Sequence, residues 1–157
     1  MIALALSCNP RLLIADEPTT ALDVTVQARI LDLLGSLQQS LSMSMIMITH
    51  DLGVIADVAK DVLVMYSGEV MEYTSTKALF DQPLHPYTQG LLTTIPDIDK
   101  RQQKLAVIPG EVPSPFSIPA GCPFHPRCDR CMPKCKVEHP EQYEPSPGHL
   151  VRCFLYA

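Results

Sequence analysis

Tryptophan is absent, and glycine is sparse, with 7 in 157 residues. No glycines form a G-x-x-x-x-G-K-[ST] loop, whose backbone N–H groups would cradle phosphates, so this chain brings no phosphate-gripping loop of that type. Basic residues are few, 12 Lys and Arg against 17 Asp and Glu, for a net charge of −5. That balance excludes a nucleic-acid partner held mainly by phosphate neutralisation, which needs a basic surface. No apolar run reaches the roughly 18 residues that cross a bilayer. Attachment to a membrane is therefore expected to come through a partner. The apolar start, Met1 to Leu6, has no basic segment before it and is too short for a secretion leader. It reads as the end of a buried helix, stopped at Asn9-Pro10 because proline cannot continue one. An opening inside an apolar helix suggests a truncated chain.

Other features are plentiful. Hydrophobic residues make up 46% of the chain, enough for a sizeable core. Leu12 to Ala15 is a continuous apolar run ending at Asp16-Glu17, as expected of a strand buried on both faces of a parallel sheet. Val26, Ile30, Leu33, Leu34, Leu37 and Leu41 recur at helical spacing and predict a helix from about Val24 to Ser40. Met43 to Thr49 is a second apolar strand, ending at His50-Asp51, and a short helix with Leu52, Ile55 and Ala59 inward follows. Val62 to Tyr66, a Ser67-Gly68 turn and Glu69 to Tyr73 predict a hairpin. The order β-α-β-α-β-β implies an α/β layer fold, a parallel sheet with that hairpin at its edge. The second half changes character. Thr76 to Phe80 and Pro86 to Leu92 suit short helices, and Pro96 to Pro119 suits an extended strap, since prolines fix φ and remove donors. The division falls at 75/76: an α/β domain over 1–75 and a Pro/Cys-rich extension over 76–157.

Three constellations carry chemistry. Asp16-Glu17 ends the first strand, where open α/β sheets bind ligands. Asp16 suits Mg²⁺, and Glu17 suits a water attacking a γ-phosphate. A solvated acidic turn, or Asp16 as a helix cap, explains the pair equally well in isolation. His50 ends the second strand, and parallel strands put their carboxyl ends on one edge, so His50 is expected near Glu17. Alone it reads more simply as a capping or surface residue. Asp23, just before the first long helix, is either an N-cap or a functional carboxylate, or both.

Taken together, these residues resemble the ABC-transporter ATPase family. Leu12 to Glu17 is similar to its Walker B motif, Thr20-Ala21-Leu22-Asp23 to its D-loop, and His50 to its switch histidine. The resemblance implies a partial P-loop NTPase sheet and a head-to-tail pair of nucleotide-binding subunits enclosing ATP. In it Asp16 serves Mg²⁺, Glu17 the hydrolytic water and His50 the γ-phosphate, while Asp23 couples the two sites. Leu84-His85-Pro86-Tyr87-Thr88-Gln89-Gly90, Ile108-Pro109-Gly110 and Gly121 to Cys128 narrow the likeness to the C-terminal extension of oligopeptide and dipeptide importer ATPases. The implied partners are a second ATPase subunit, membrane permeases and, indirectly, a peptide-binding protein, at the cytoplasmic face of the inner membrane. The family's Walker A loop and signature are missing, so the chain alone is expected not to hydrolyse ATP, and its strands to offer aggregation-prone edges.

Five of the 6 cysteines fall late, as C-x5-C-x2-C-x3-C and then Cys153. Without a secretion leader such a cluster is more often a metal site than a disulfide set. Spacing alone admits zinc or an iron–sulfur cluster, since both take four thiolates. The resemblance implies a [4Fe–4S] cluster on Cys122, Cys128, Cys135 and Cys153, with Cys131 left over. His125, His139 and His149 are expected at the surface rather than as zinc ligands. A second reading of the chain is a metal-binding interaction module with no chemistry in its α/β part. A DNA repair or chromatin ATPase is opposed by the acidic charge and the tail.

Overall fold

The structure, a computed structural model, describes residues 2–94 and 107–157. The stretch from Pro96 to Ala106, the first part of the expected strap, lies outside the described residues. The chain forms two compact units, Met1–Ala59 and Lys60–Ala157.

In the first unit a short helix α1 (Ile2–Leu6) leads to strand β1 (Leu12–Asp16), helix α2 (Val24–Leu41), strand β2 (Ser44–Ile48) and helix α3 (Leu52–Val58). β1 and β2 pair in parallel, from Leu12 opposite Ser44 to Asp16 opposite Ile48. Asp23 starts α2 by accepting from the Thr25 and Val26 amides, both at 3.0 Å. Ser42 ends it in the left-handed region at φ 50°, its N–H turned back to Gln38 and Gln39 carbonyls. The apolar stripe of α2 packs Leu34, with Ile30 and Leu37 beside it, onto Leu13, Met43, Met45 and Met47.

Two expectations fail here. β1 is not covered on both faces: Leu13 and Ala15 are buried, but Leu12, Ile14, Ile46 and Ile48 on the opposite face are about half exposed. Among the described residues a helix layer covers only one side of this sheet. Nor is α1 a buried helix. None of its residues is buried, and only Ile2 and Leu6 lean on the core while Leu4 stands in solvent.

The second unit is built on an antiparallel sheet. Strands β3 (Asp61–Tyr66) and β4 (Glu69–Ser75) form the expected hairpin, with positive φ at both Ser67 and Gly68, as a tight two-residue turn requires. Helices α4 (Thr76–Asp81) and α5 (Pro86–Thr93) follow, and strands β5 (Tyr143–Ser146) and β6 (His149–Val151) close the sheet. The strand order is β3-β4-β6-β5. The hairpin is therefore not an edge of the parallel sheet. Its free side, β4, is taken by β6 through Glu72–Val151 and Tyr73–Leu150. The compact units accordingly part at Ala59/Lys60, ahead of 75/76, with the hairpin on the extension's side.

A bulge in this sheet has a consequence. The β3–β4 register slips between Val64 and Met65, so Met71 has no partner across the ladder. The alternation of sides is interrupted, and Met71 and Glu72, adjacent in sequence, are both fully buried. The Glu72 carboxylate accepts from the Leu84 amide (2.8 Å), the His85 amide (2.9 Å) and His149 Nε2 (2.7 Å). Two segments, the approach to α5 and β6, thus converge on one acid of β4. His149, expected at the surface, is buried for this reason, while His139 stays exposed beside Glu69 at 2.7 Å. Tyr66, Tyr87 and Phe124 pack edge-on or tilted above Met71, with centroids 4.8–5.3 Å apart.

Glu72→Ala leaves two backbone N–H groups and an imidazole without their acceptor. It is expected to cost about 3–5 kcal/mol in urea unfolding, whereas Glu69→Ala, at an exposed pair, should cost less than about 1 kcal/mol. A pH effect comes from His85, which is fully buried and caps α5 by accepting from the Tyr87 amide at Nδ1 (3.0 Å). Burial pushes its pKa down from 6.5 to about 4. Between those values the unfolded chain binds the proton that the folded chain refuses. The His85 contribution is full above pH 6.5 and drains as pH falls toward 4, by about 3 kcal/mol. Unfolding midpoints at pH 7 and 4.5 should converge in His85→Gln relative to the parent.

Candidate functional site

In the first unit, the parallel register decides which side chains meet. Asp16 and Ile48 are opposite one another, and the next amide, of Glu17, donates to the Ile48 carbonyl at 2.8 Å. The two chains leave the sheet together. Glu17 then turns at φ 44°, a left-handed conformation that non-glycine residues adopt at a cost, and heads a turn closed by the Thr20 amide on its carbonyl (3.1 Å). The result sets Glu17 Oε1 3.0 Å from His50 Nδ1. Glu17 Oε2 accepts from Thr20 Oγ1 at 2.7 Å. These donors hold the Glu17 pKa below its usual value, Thr20 first and His50 second. The carboxylate is kept ionised and fixed at both oxygens, yet it is exposed, as is the imidazole.

The other residues of this edge have simpler placements. Asp16 ends β1 and is exposed. Asp23 is an N-cap, using Oδ1 for both amides of α2. Asp51, given no role from sequence, caps α3 through the Gly53 and Val54 amides and accepts from Gln27 Nε2 on α2 at 3.4 Å. It fixes the segment that carries His50. Thr20, which the motif alone does not single out, is the second hydrogen-bond partner of Glu17. An Asp or Thr three or four residues past a strand end is a local signal for such bonds, but it does not name the partner.

In the second unit, Cys122, Cys128, Cys135 and Cys153 line one small cavity of about 20 Å³, with His85, Phe124, His125 and Arg130 in its wall. Cys131 is not among the lining residues. Two local features bring the four thiols together. Gly121 has φ 73°, and a Cβ there would sit 2.4 Å from the Cys135 carbonyl oxygen, so only glycine allows the Cys122 amide to donate to that oxygen at 2.9 Å. Arg152 docks the tail by donating its amide to Met71 O (2.8 Å) and its guanidinium to Val70 O and Pro140 O, which delivers Cys153. Arg127 plays the same part for the described end of the strap, donating to Pro109 O (3.0 Å) and Ile108 O (3.1 Å).

Burial, against the opposing pull of backbone N–H bonds, pushes the Cys122 and Cys128 thiols up to about 11 and Cys153 upward, and the neighbouring thiols add to the rise. Thiolates there need a compensating cation, which a bound metal supplies. The residue types suit a four-thiolate group, but their present spacing does not. Among the described residues no three His, Cys, Asp or Glu side chains are grouped closely enough to hold one metal ion as they stand. Binding of any metal would require the thiols to rearrange around it.

Residues 71–135 match the family model described as the oligopeptide/dipeptide transporter, C-terminal region. The oligopeptide transport ATP-binding protein AppD of Bacillus subtilis is 55% identical over 156 residues, 99% of this chain and 48% of that protein. The oligopeptide transport ATP-binding protein OppD of Salmonella typhimurium is 51% identical over 154 residues, 98% of this chain and 46% of that protein. The chain belongs with the oligopeptide/dipeptide transport ATP-binding proteins. The dipeptide transport ATP-binding protein DppD of Escherichia coli is 46% identical over 153 residues, 98% of this chain and 47% of that protein. This member of the family spans about half the length of the curated relatives it matches. Among the described residues no helix is long and apolar enough to cross a membrane.

Gly121→Ala is expected to destabilise the second unit by about 2 kcal/mol or more, since it adds a steric clash to an unfavourable φ. Thiol labelling under native conditions should show Cys122 and Cys135, buried in the parent, becoming reactive. Unchanged labelling would contradict the role given to Gly121.

Proposed function

We propose that the first unit supplies the water-activating edge of an ATP site in a peptide-importer ATPase subunit of the ABC type. The observation that carries this is the 3.0 Å contact of Glu17 with His50 at the carboxyl edge of the parallel sheet. Asp16 is the Mg²⁺ carboxylate, an exposed oxygen ligand suited to a hydrated hard cation. Glu17, held ionised by Thr20 and His50, orients the attacking water and takes up its proton as the bond to the γ-phosphorus forms and the phosphorus–oxygen bond to the departing ADP breaks. His50 spends Nδ1 on Glu17 and leaves Nε2 for the γ-phosphate. Asp23 reaches the neighbouring subunit while capping α2 with one oxygen. In this reading the sheet is part of a P-loop NTPase core, and the phosphate-binding loop comes from residues that are not in this sequence. The working assembly pairs two ATPase subunits on the cytoplasmic face of the inner membrane, beneath permease subunits fed by a peptide-binding protein.

The second unit is the extension that marks the substrate class. Its four thiols, Cys122, Cys128, Cys135 and Cys153, would hold a [4Fe–4S] cluster, with zinc as the competing occupant. Such a group, once bound, staples a loop-rich segment and can exchange an electron. Phe124, Arg130 and His125 in the pocket wall limit its contact with water.

The test joins the first half of the Bacillus subtilis relative ahead of residues 1–157. This chimera is expected to hydrolyse ATP, and Glu17→Gln to lower kcat by about 10²-fold or more with little change in ATP binding. The 157-residue chain alone should show no turnover. Equal rates for the chimera and its Glu17→Gln variant would contradict the proposal. Anaerobic reconstitution with iron and sulfide, against zinc by elemental analysis, decides the occupant of the thiol pocket.

A further inference from the structure

We propose that Cys128 and Cys131 are a redox pair, closed to a disulfide by a peroxide, and that closure removes Cys128 from the four-thiol pocket. The consequence for the pocket rests on the metal reading above. The pair itself does not.

Cys131 is the cysteine that the pocket leaves over. It is partly exposed and packs against the edge of the second unit's core, and its Sγ bonds only weakly, at 3.6 Å, to its neighbour's carbonyl, Met132 O. Cys128 is also partly exposed but lines the pocket. Between them Asp129 and Arg130 form a turn, in which the Cys131 amide donates to the Cys128 carbonyl at 3.3 Å. A turn of this kind keeps the first and fourth Cα atoms within about 7 Å, and a disulfide spans about 4.4–6.8 Å. The Cα spacing of such a turn is compatible with a disulfide. Cys122 and Cys135 are also neighbours through their backbones, but both are buried and less open to an oxidant.

The steps balance with the peroxide as oxidant. Attack of the Cys131 sulfur on the O–O bond gives a sulfenic acid and one water. The Cys128 sulfur then displaces the hydroxyl from sulfur, forming the S–S bond and a second water. Two thiols lose two electrons and two protons, and one peroxide becomes two waters. Three pocket thiols remain, one short of a four-thiolate set. A thiol reductant restores the fourth.

The experiment treats the reduced, metal-free 157-residue chain with hydrogen peroxide, blocks free thiols with iodoacetamide and maps peptides by mass spectrometry. The expected product links Cys128 to Cys131, with Cys122, Cys135 and Cys153 alkylated. Iron uptake on reconstitution should fall severalfold after peroxide, recover with dithiothreitol and be spared by peroxide in Cys131→Ser. A Cys122–Cys135 link, or only unlinked sulfenic and sulfinic products, would overturn the redox pair. So would an equal loss of iron uptake after peroxide in Cys131→Ser. If the reduced chain takes up no iron, the metal reading fails, and the peptide map still decides the disulfide.

Discussion

The parallel pairing of β1 with β2 is the constraint from which the chemistry follows. Its register sets Asp16 against Ile48, and the Glu17 amide extends the ladder by one more bond. A slip of one residue would send Leu13 and Ala15 to the open face and turn Glu17 away from His50. The packing of Leu13 against Leu34 and Met43 holds the register, so core and site depend on the same alignment. The strained φ at Glu17 is part of that arrangement: the backbone accepts a left-handed residue where the carboxylate must turn toward His50 and Thr20.

The second unit solves a different problem. Its segments are short and rich in proline, and its core of Tyr66, Met71 and Phe124 is joined from several of them. Fixed anchors add to that core. Glu72 gathers β4, the start of α5 and β6 around one carboxylate, and Arg152 and Arg127 tie the tail and the strap to carbonyls. The four-thiol pocket lies among these anchors, lined by both His85 and Cys153. Removing an anchor would therefore disturb the pocket as well as the sheet.

Much of the first unit was legible because its signals are local. Apolar runs ending in Asp16-Glu17 and His50 mark strand ends and Asp23 marks a helix start, and in the second unit the Ser67-Gly68 pair likewise marks the hairpin turn. What failed was long-range. Whether the β4 edge would face the parallel sheet or β6 depends on residues far along the chain, and no periodicity encodes it. The burial of His149 depends on a bulge that inverts the side of Glu72, and a lone acid in a strand does not announce a partner beyond residue 140. The solvated faces of Leu12, Ile14, Ile46 and Ile48 and of α1 were missed because apolar sequence reports a capacity to be buried, and what covers a face comes from elsewhere. The four pocket cysteines and the exclusion of Cys131 came from family likeness, since spacing left five candidates for four positions.

The most direct measurement is a crystal structure of a protein that joins the first half of the Bacillus subtilis relative to residues 1–157, with Mg²⁺ and a non-hydrolysable ATP analogue bound. Glu17 and His50 should stand on the same side of the γ-phosphate, each within hydrogen-bond reach, about 3 Å, of the in-line water or the phosphate oxygens. A nucleotide bound with Glu17 and His50 remote from the γ-phosphate would contradict the assignment of this edge as the water-activating side.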